Sequence, residues 1–537
     1  MSGRPPMKTL ARCGVLALAL GSALAVSAEP GGGSGPMGSP KFLPTADHPV
    51  GWRGDGSGRY PGATPPTKWE RRKSGGGYAA SGILYAVPLP NGGVSCPIIV
   101  GNRIYVTVEP WDLVCIEKNS GQILWIRSSP PFEGLSPEDR KANPEIETKL
   151  APLAQSLAKA NEDVAASLNS KVATAATAGS KDSSGPVQKK KDLEKQINEA
   201  QNAVNKKLFT LNWAQAVFGY AGPTPVSDGK KVYAFFTTGI SVCFDLDGNR
   251  KWIARGSGDG SEHGNFASPI LGMNRLVVWA NEMRAYEADS GKLAWTAPAK
   301  SFNTYGSMFK VQAGAEMVAA FQSGYFARIR DGARIWGDQA FGDSVQTPIV
   351  EGGLIFARMG YPIAQGESGN FKAFKIPAGA EGGGKPSPAY SFKQEWAEDE
   401  IPVDKKKNPF DRGFVASPLF ADGLIYNVTE GGGLFCNDAA SGELVYKKVL
   451  PVKPKTEYWG WAGMSASPTQ AGKYIYLMDN QGLTIVIQSG RVYKEVSQNM
   501  LEESRDGKSQ EQNVSTPIFE GGRMYYRTPG YLYCIGN

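Results

Sequence analysis

The side chains able to do chemistry in this chain fall in short stretches between apolar segments. They are Trp213, Phe218 and Tyr220; Glu262, His263, Asn265 and Phe266; Asn303 and Tyr305; Asp343 and Gln346; Asp411, Arg412 and Phe414; Tyr458, Trp459 and Trp461; and Gln512 and Asn513. Aromatic rings mixed with a few amides and charges suit a flat ligand or a peptide. The same rings would also serve simply to fill a narrow channel. Other chemistries are disfavoured by residue type. The only histidines are His48 and His263, so a multi-histidine metal centre is excluded, and neither sits in a nucleophile motif. The glycine runs at Gly75 and Gly431 lack the following Lys and helix start of a phosphate loop, and no Cys-x-x-Cys-His is present for covalent haem.

These stretches alternate with a repeat that must position them. MRAYEADSGKLAW (283–295) has variants at 113–125, 241–252, 325–336 and 434–446. Each holds about four alternating residues, an acidic or amide turn with Gly, and a short strand closing on an aromatic, which is a hairpin signal. Upstream lies a small residue with Pro, a short apolar run, a Gly turn and a second apolar run, as in SPILGMNRLVVWA (268–280). Each unit therefore reads as four strands, and four strands at this period describe a propeller blade. Inner strands are expected after Pro97, Pro225, Pro269, Ser307, Pro348, Pro418, Pro468 and Pro517. The expectation is an all-β, eight-bladed β-propeller of four-stranded antiparallel blades. Its last blade is one strand short, and the N-terminal GILYAVPL (82–89) is expected to close the ring.

The turn-and-Trp pattern, in EADSGKLAW and EKNSGQILW, resembles the tryptophan-docking motif of pyrroloquinoline quinone (PQQ) repeat propellers. GWRGDGSGRYPGATPPTKW (51–69) also looks like a lead-in of such propellers. The resemblance implies that Trp125, Trp252, Trp295, Trp336 and Tyr446 dock one blade on the next. It covers two branches, quinoprotein alcohol dehydrogenases and non-catalytic relatives of outer membrane protein assembly factor B. By comparison with the dehydrogenases, Trp459 or Trp461 would stack on PQQ, and Glu262, Asn265 and Asp343 would hold Ca²⁺. Trp213, Tyr220, His263, Phe266, Tyr305, Arg412, Phe414 and Tyr458 would line the channel face. No adjacent Cys pair of the kind found in many quinoprotein dehydrogenases is present.

Residues 1–28 read as a secretory signal peptide, with Lys8 and Arg12 before an apolar run and Val26-Ser27-Ala28 at the cleavage point. That places the mature chain in the periplasm or outside the cell. The net charge of +7 falls to +4 without Arg4, Lys8 and Arg12, too mild a balance to argue for nucleic acid. Residues 29–66 are rich in Gly and Pro and read as a flexible lead-in, with propeller from 67 to 135 and from 209 to 537. Between them, residues 136–208 carry apolar residues at helical spacing, from Ile146 to Leu168 and again from Leu193 to Val204, with AGSKDSSGP between. This predicts an antiparallel helical hairpin projecting as an arm. Cys115, Cys243, Cys436 and Cys534 fall in one repeat slot of four different blades, so they are expected to be buried and unbridged. The function expected from all this is a non-catalytic scaffold binding an envelope protein or peptide, without cofactor. The alternatives are a PQQ- and Ca²⁺-dependent dehydrogenase and a polysaccharide-binding propeller.

Overall fold

The computed structural model describes residues 35–75, 77–172, 185–209, 219–256, 266–299, 305–337, 339–342, 344–360, 370–379, 384–394, 413–452, 463–503 and 514–536. One copy shows how the repeat becomes a sheet. Pro269 has no N–H to offer a ladder, so the inner strand starts after it at Ile270–Gly272. Met273 and Asn274 turn the chain with φ of 51° and 54°, the twist that two-residue hairpins favour. Strands Arg275–Trp279, Met283–Glu287 and Leu293–Ala297 follow, with Val277 opposite Ala285 and Ala285 opposite Trp295.

Among the described residues, seven sheets are four-stranded blades of this kind. In chain order they are blade A (98–128), blade B (226–255), blade C (270–297), blade D (309–335), blade E (349–391), blade F (419–449) and blade G, which joins 518–536 to an N-terminal strand. The expectation of eight such blades is therefore corrected to seven. The remaining sheet, around 469–501, has seven strands. Strand β1 (Arg59–Tyr60) lies parallel to its inner strand, Thr469–Ala471, and β2 (Glu70–Ser74) lies parallel to its outer strand, Glu495–Leu501. Strand β3 (Gly77–Ser81) pairs with β2 and ends the sheet. Repeat counting follows local hairpins. Parallel strands contributed from some 400 residues away leave no mark in that pattern.

Strand β4 (Ile83–Pro88) pairs antiparallel with Tyr531–Gly536 and completes blade G, joining the two ends of the ring. Adjacent blades interlock through the repeat itself. The indole N–H of Trp125 donates to Leu246 O (3.2 Å), Trp252 to Ala288 O (2.9 Å), Trp295 to Ile329 O (2.9 Å) and Trp336 to Gly379 O (3.1 Å). Gly291 shows why the turn needs glycine. Its φ is 71°, and a Cβ there would stand 2.5 Å from the Trp252 ring of the preceding blade. Tyr446 differs: its hydroxyl is buried without a partner and its ring meets Tyr493 edge-on. Cys115, Cys243, Cys436 and Cys534 are free and buried, each just before a β-bulge in its third strand.

The described part of the lead-in, 35–66, packs against the ring and does not behave as the tether its composition suggests. Val50 bridges Ser227 of blade B, Thr64 N donates to Gly521 O, and Arg59 pairs with Glu351 of blade E at 2.7 Å. The helical insertion also differs from a projecting arm. Helices α1 (Pro137–Ala142), α2 (Ala151–Asn169) and α3 (Gly185–Phe209, broken at Asn205) form it, with Ser136 capping the first by accepting from Asp139 N. Helices α2 and α3 pack on each other, and α2 lies along Ile123–Ser128, the outer strand of blade A. Asn169 there accepts from Ile123 N (2.7 Å) and donates to Ile123 O (3.0 Å), as a neighbouring strand would. Beneath it Lys190 is 2% exposed and reaches Asp112, fully buried, at 2.7 Å, and Glu194 one turn along α3.

Candidate functional site

The small residue before each inner strand places a hydroxyl beside the central axis. Backbone N–H groups donate to the hydroxyl of the next sheet: Cys96 to Thr224 (3.0 Å), Thr224 to Ser268 (3.0 Å), Ser307 to Thr347 (2.7 Å), Thr347 to Ser417 (2.9 Å) and Ser417 to Ser467 (3.0 Å). Cys96 stands where the other copies have Ser or Thr, and its Sγ accepts from Thr516 N at 3.3 Å. This girdle explains the Ser/Thr-Pro repeats and holds the sheets around a narrow centre.

The end of the centre nearest the lead-in is blocked. Arg53 is 0% exposed and donates to Pro418 O (3.0 Å) and Pro468 O (2.7 Å), stitching two inner strands together. Burial lowers its guanidinium to about 10. Arg53 therefore places its guanidinium in the interior of the ring.

The other end carries the loops that lead from one blade into the next, here the loop face. Tyr220, Phe266, Tyr305 and Phe414 are the sequence-predicted channel-face residues that the structure describes there. Trp213, Glu262, His263, Asn265, Asp343, Arg412, Tyr458, Trp459 and Trp461 lie outside the described residues. Tyr220 and Phe266 belong to adjoining loops. The Glu109 carboxylate of blade A accepts from Tyr220 N (2.8 Å) and Ala221 N (2.8 Å), and the Phe266 ring occupies the space beside Gly222, where a Cβ would stand 2.4 Å from it. Burial, with Glu109 adding to it, raises the Tyr220 hydroxyl. Phe414 stands apart, at the junction of blades E and F.

That junction holds a functional candidate missing from the sequence reading. Arg358 ends strand Leu354–Arg358, is 9% exposed, and lies with its guanidinium 3.7 Å from the centre of the Phe414 ring. Its Nη2 donates to Gln394 Oε1 at 2.9 Å, and Nε is buried without a partner. Gln394 in turn donates to Asn437 Oδ1 (3.2 Å), and Gln346 donates to Asn427 Oδ1 (3.1 Å) and to Ala416 O. No carboxylate among the described residues pairs with Arg358, and burial lowers it to about 9, so it stays cationic at neutral pH. A signal was present in the repeat: register places Thr107, Trp279, Val428 and Met478 at the same slot of other sheets. Only Arg527 repeats the arginine among those copies.

Among the described residues no group of three or more His, Cys, Asp or Glu is placed to hold a metal ion. No described helix is long and apolar enough to cross a membrane. A family model described as outer membrane protein assembly factor BamB matches residues 203–364 and 407–537, more than half of the chain. The chain belongs to this BamB family. No curated protein sequence matches this BamB-family propeller. Among solved structures, BamB from Moraxella catarrhalis is 12% identical, with 58% of this chain and 80% of that one covered and a TM-score of 0.40. A europium-containing methanol dehydrogenase is 11% identical over 85% and 93%, with a TM-score of 0.44. The quinohemoprotein alcohol dehydrogenase from Comamonas testosteroni is 11% identical over 84% and 76%, with a TM-score of 0.45.

Proposed function

We propose that this BamB-family chain is an exported, non-catalytic scaffold that binds an envelope protein by accepting one of its strands on β3. The supporting observation is the end of the seven-stranded sheet. Strand β3 (GYAAS) is the last strand, alternates exposed and half-buried residues, and has no described strand on its outer edge. It also lacks the charges and prolines that natural edges use to repel other chains. Main-chain groups on such an edge give affinity to an added strand, and the side chains on alternate faces give it specificity. The loop face would contribute a second contact through Tyr220, Phe266, Tyr305 and Phe414.

Photo-crosslinkers at Tyr78 and Ala80, read in the native envelope, test this reading. A discrete partner is expected at both positions. Ala80→Pro, which removes a backbone N–H from the outer edge because Arg71 opposite it points to the 495–501 strand, is expected to cut capture from Tyr78 at least tenfold without lowering the melting temperature by more than a few degrees. Capture from Tyr78 that persists unchanged in Ala80→Pro would sink the strand-addition reading. The quinoprotein alternative assigns PQQ to Trp459 and Trp461 and Ca²⁺ to Glu262, Asn265 and Asp343, all of which lie outside the described residues. A melt with and without PQQ and Ca²⁺ separates the two readings, because a ligand specific to the native state raises the midpoint. A rise abolished by Trp459→Ala would replace the scaffold with an oxidoreductase.

A further inference from the structure

Burying a guanidinium without a counter-charge is costly, so a protein that does so compensates with acceptors or with a bound anion. Arg527 shows the first solution. At the same register slot as Arg358, its Nη1 donates to Ser95 Oγ (2.5 Å) and Thr107 O (2.6 Å), and its Nη2 to Gly92 O (3.2 Å). There the incoming loop of blade A carries Gly92-Gly93, and a Cβ on Gly93 would stand 2.3 Å from Arg527 Nη2. The loop entering blade F carries Gly413-Phe414 instead. Its phenyl ring fills the place where carbonyls could have approached, and Arg358 is left with one amide oxygen.

We propose that Arg358 and Phe414 form an anchoring site for a monocarboxylate presented from the loop face. The ring shields one face of the guanidinium from water and leaves its N–H edge for a planar acceptor, the geometry in which Arg prefers carboxylate. Gln394 fixes the rotamer by accepting at Nη2. Among the described residues the site offers one positive charge, and the side chains linked to it, Gln394, Asn427, Asn437 and Gln346, are neutral amides. A dianion such as phosphate would therefore bury an unbalanced charge, whereas a single carboxylate closes the balance. The carboxylate belongs either to a free organic acid or to the C-terminus of a polypeptide. This site is independent of the β3 edge, so either proposal can fail alone.

The test uses the purified protein, with acetate exchanged for fluoride at constant ionic strength, and acetyl-triglycine as the free acid or the amide. The midpoint is expected to rise saturably with a carboxylate, by about 2 °C at ten times its Kd. A response to acetate and to the free acid alike assigns a small organic acid. A response to the free acid alone, absent with the amide, assigns a polypeptide C-terminus. Arg358→Met is expected to abolish the rise. Phe414→Leu, which keeps the charge, is expected to weaken acetate binding at least threefold, and it carries the test if Arg358→Met fails to fold. No saturable rise with either carboxylate overturns the proposal, as does an undiminished rise in Arg358→Met or in Phe414→Leu.

Discussion

Two buried cations in this molecule are handled in opposite ways. Lys190, on the helical insertion, is almost fully buried and meets two carboxylates, Asp112 from blade A at 2.7 Å and Glu194 from its own helix. Burial alone would lower the Lys190 ammonium, but Asp112 and Glu194 outweigh it and hold it above its ordinary value. Arg358, at a junction between blades, has a ring and an amide and no carboxylate among the described residues. The insertion thus locks its cation inside the fold. The blade junction keeps its cation uncommitted, which is what a binding site requires and a structural lock avoids.

The largest effect is expected where the lock is broken. Lys190→Met leaves Asp112 and Glu194 buried together without a cation, a change that costs about 3–5 kcal/mol. Urea unfolding and hydrogen exchange along α3 would measure it, and a loss under about 1 kcal/mol would put Lys190 in the same class as Arg358. Arg527→Met should come next, at about 2–3 kcal/mol, because it removes the charge-assisted hydrogen bonds that the guanidinium makes to Ser95 Oγ, Thr107 O and Gly92 O. If Arg527→Met and Arg358→Met cost the same in carboxylate-free buffer, the contrast between the two junctions disappears.

The smallest effect sharpens the comparison through pH. Burial pushes the Glu194 carboxyl up to about 7 against the pull of Lys190. A carboxyl raised in the folded state binds its proton more tightly there than in the unfolded chain. The stability it lends is therefore full below about pH 4.5 and is lost as pH rises through about 7. Docking of α3 should weaken by roughly 1–3 kcal/mol across that window, and Glu194→Gln should flatten the dependence. Hydrogen exchange of α3 at pH 5 and pH 8 measures both. A wild-type chain with no difference between the two pH values would show that Lys190 and Asp112 alone set the lock.

Much of the candidate site was legible only as a place. The loop face followed from the repeat, because residues between one blade's last strand and the next blade's first must gather at one end. Tyr220, Phe266, Tyr305 and Phe414 lie there. Arg358 escaped notice because it sits inside a strand pattern whose other copies carry Thr, Trp, Val or Met as well as Arg527, and a charged residue at a strand end is usually solvated. Its burial depends on Phe414, some fifty residues later. Arg53 was hidden for the same reason: a glycine-rich stretch reads as loose, yet its partners are the carbonyls of Pro418 and Pro468.

The amino-acid sequence by itself determined what depends on neighbours within about fifteen residues. Gly turns at positive φ, Pro before each inner strand, the bulged Cys slot and the helical spacing of the insertion are all short-range steric or periodic effects. The interlocking of Trp252 with Gly291 was legible too, because the repeat writes both partners into every copy. The tertiary structure alone decided which strands extend the seven-stranded sheet, where the lead-in goes, and which buried charges are paired. Those outcomes depend on backbone edges and desolvated charges that meet across hundreds of residues, where no local pattern constrains the partner.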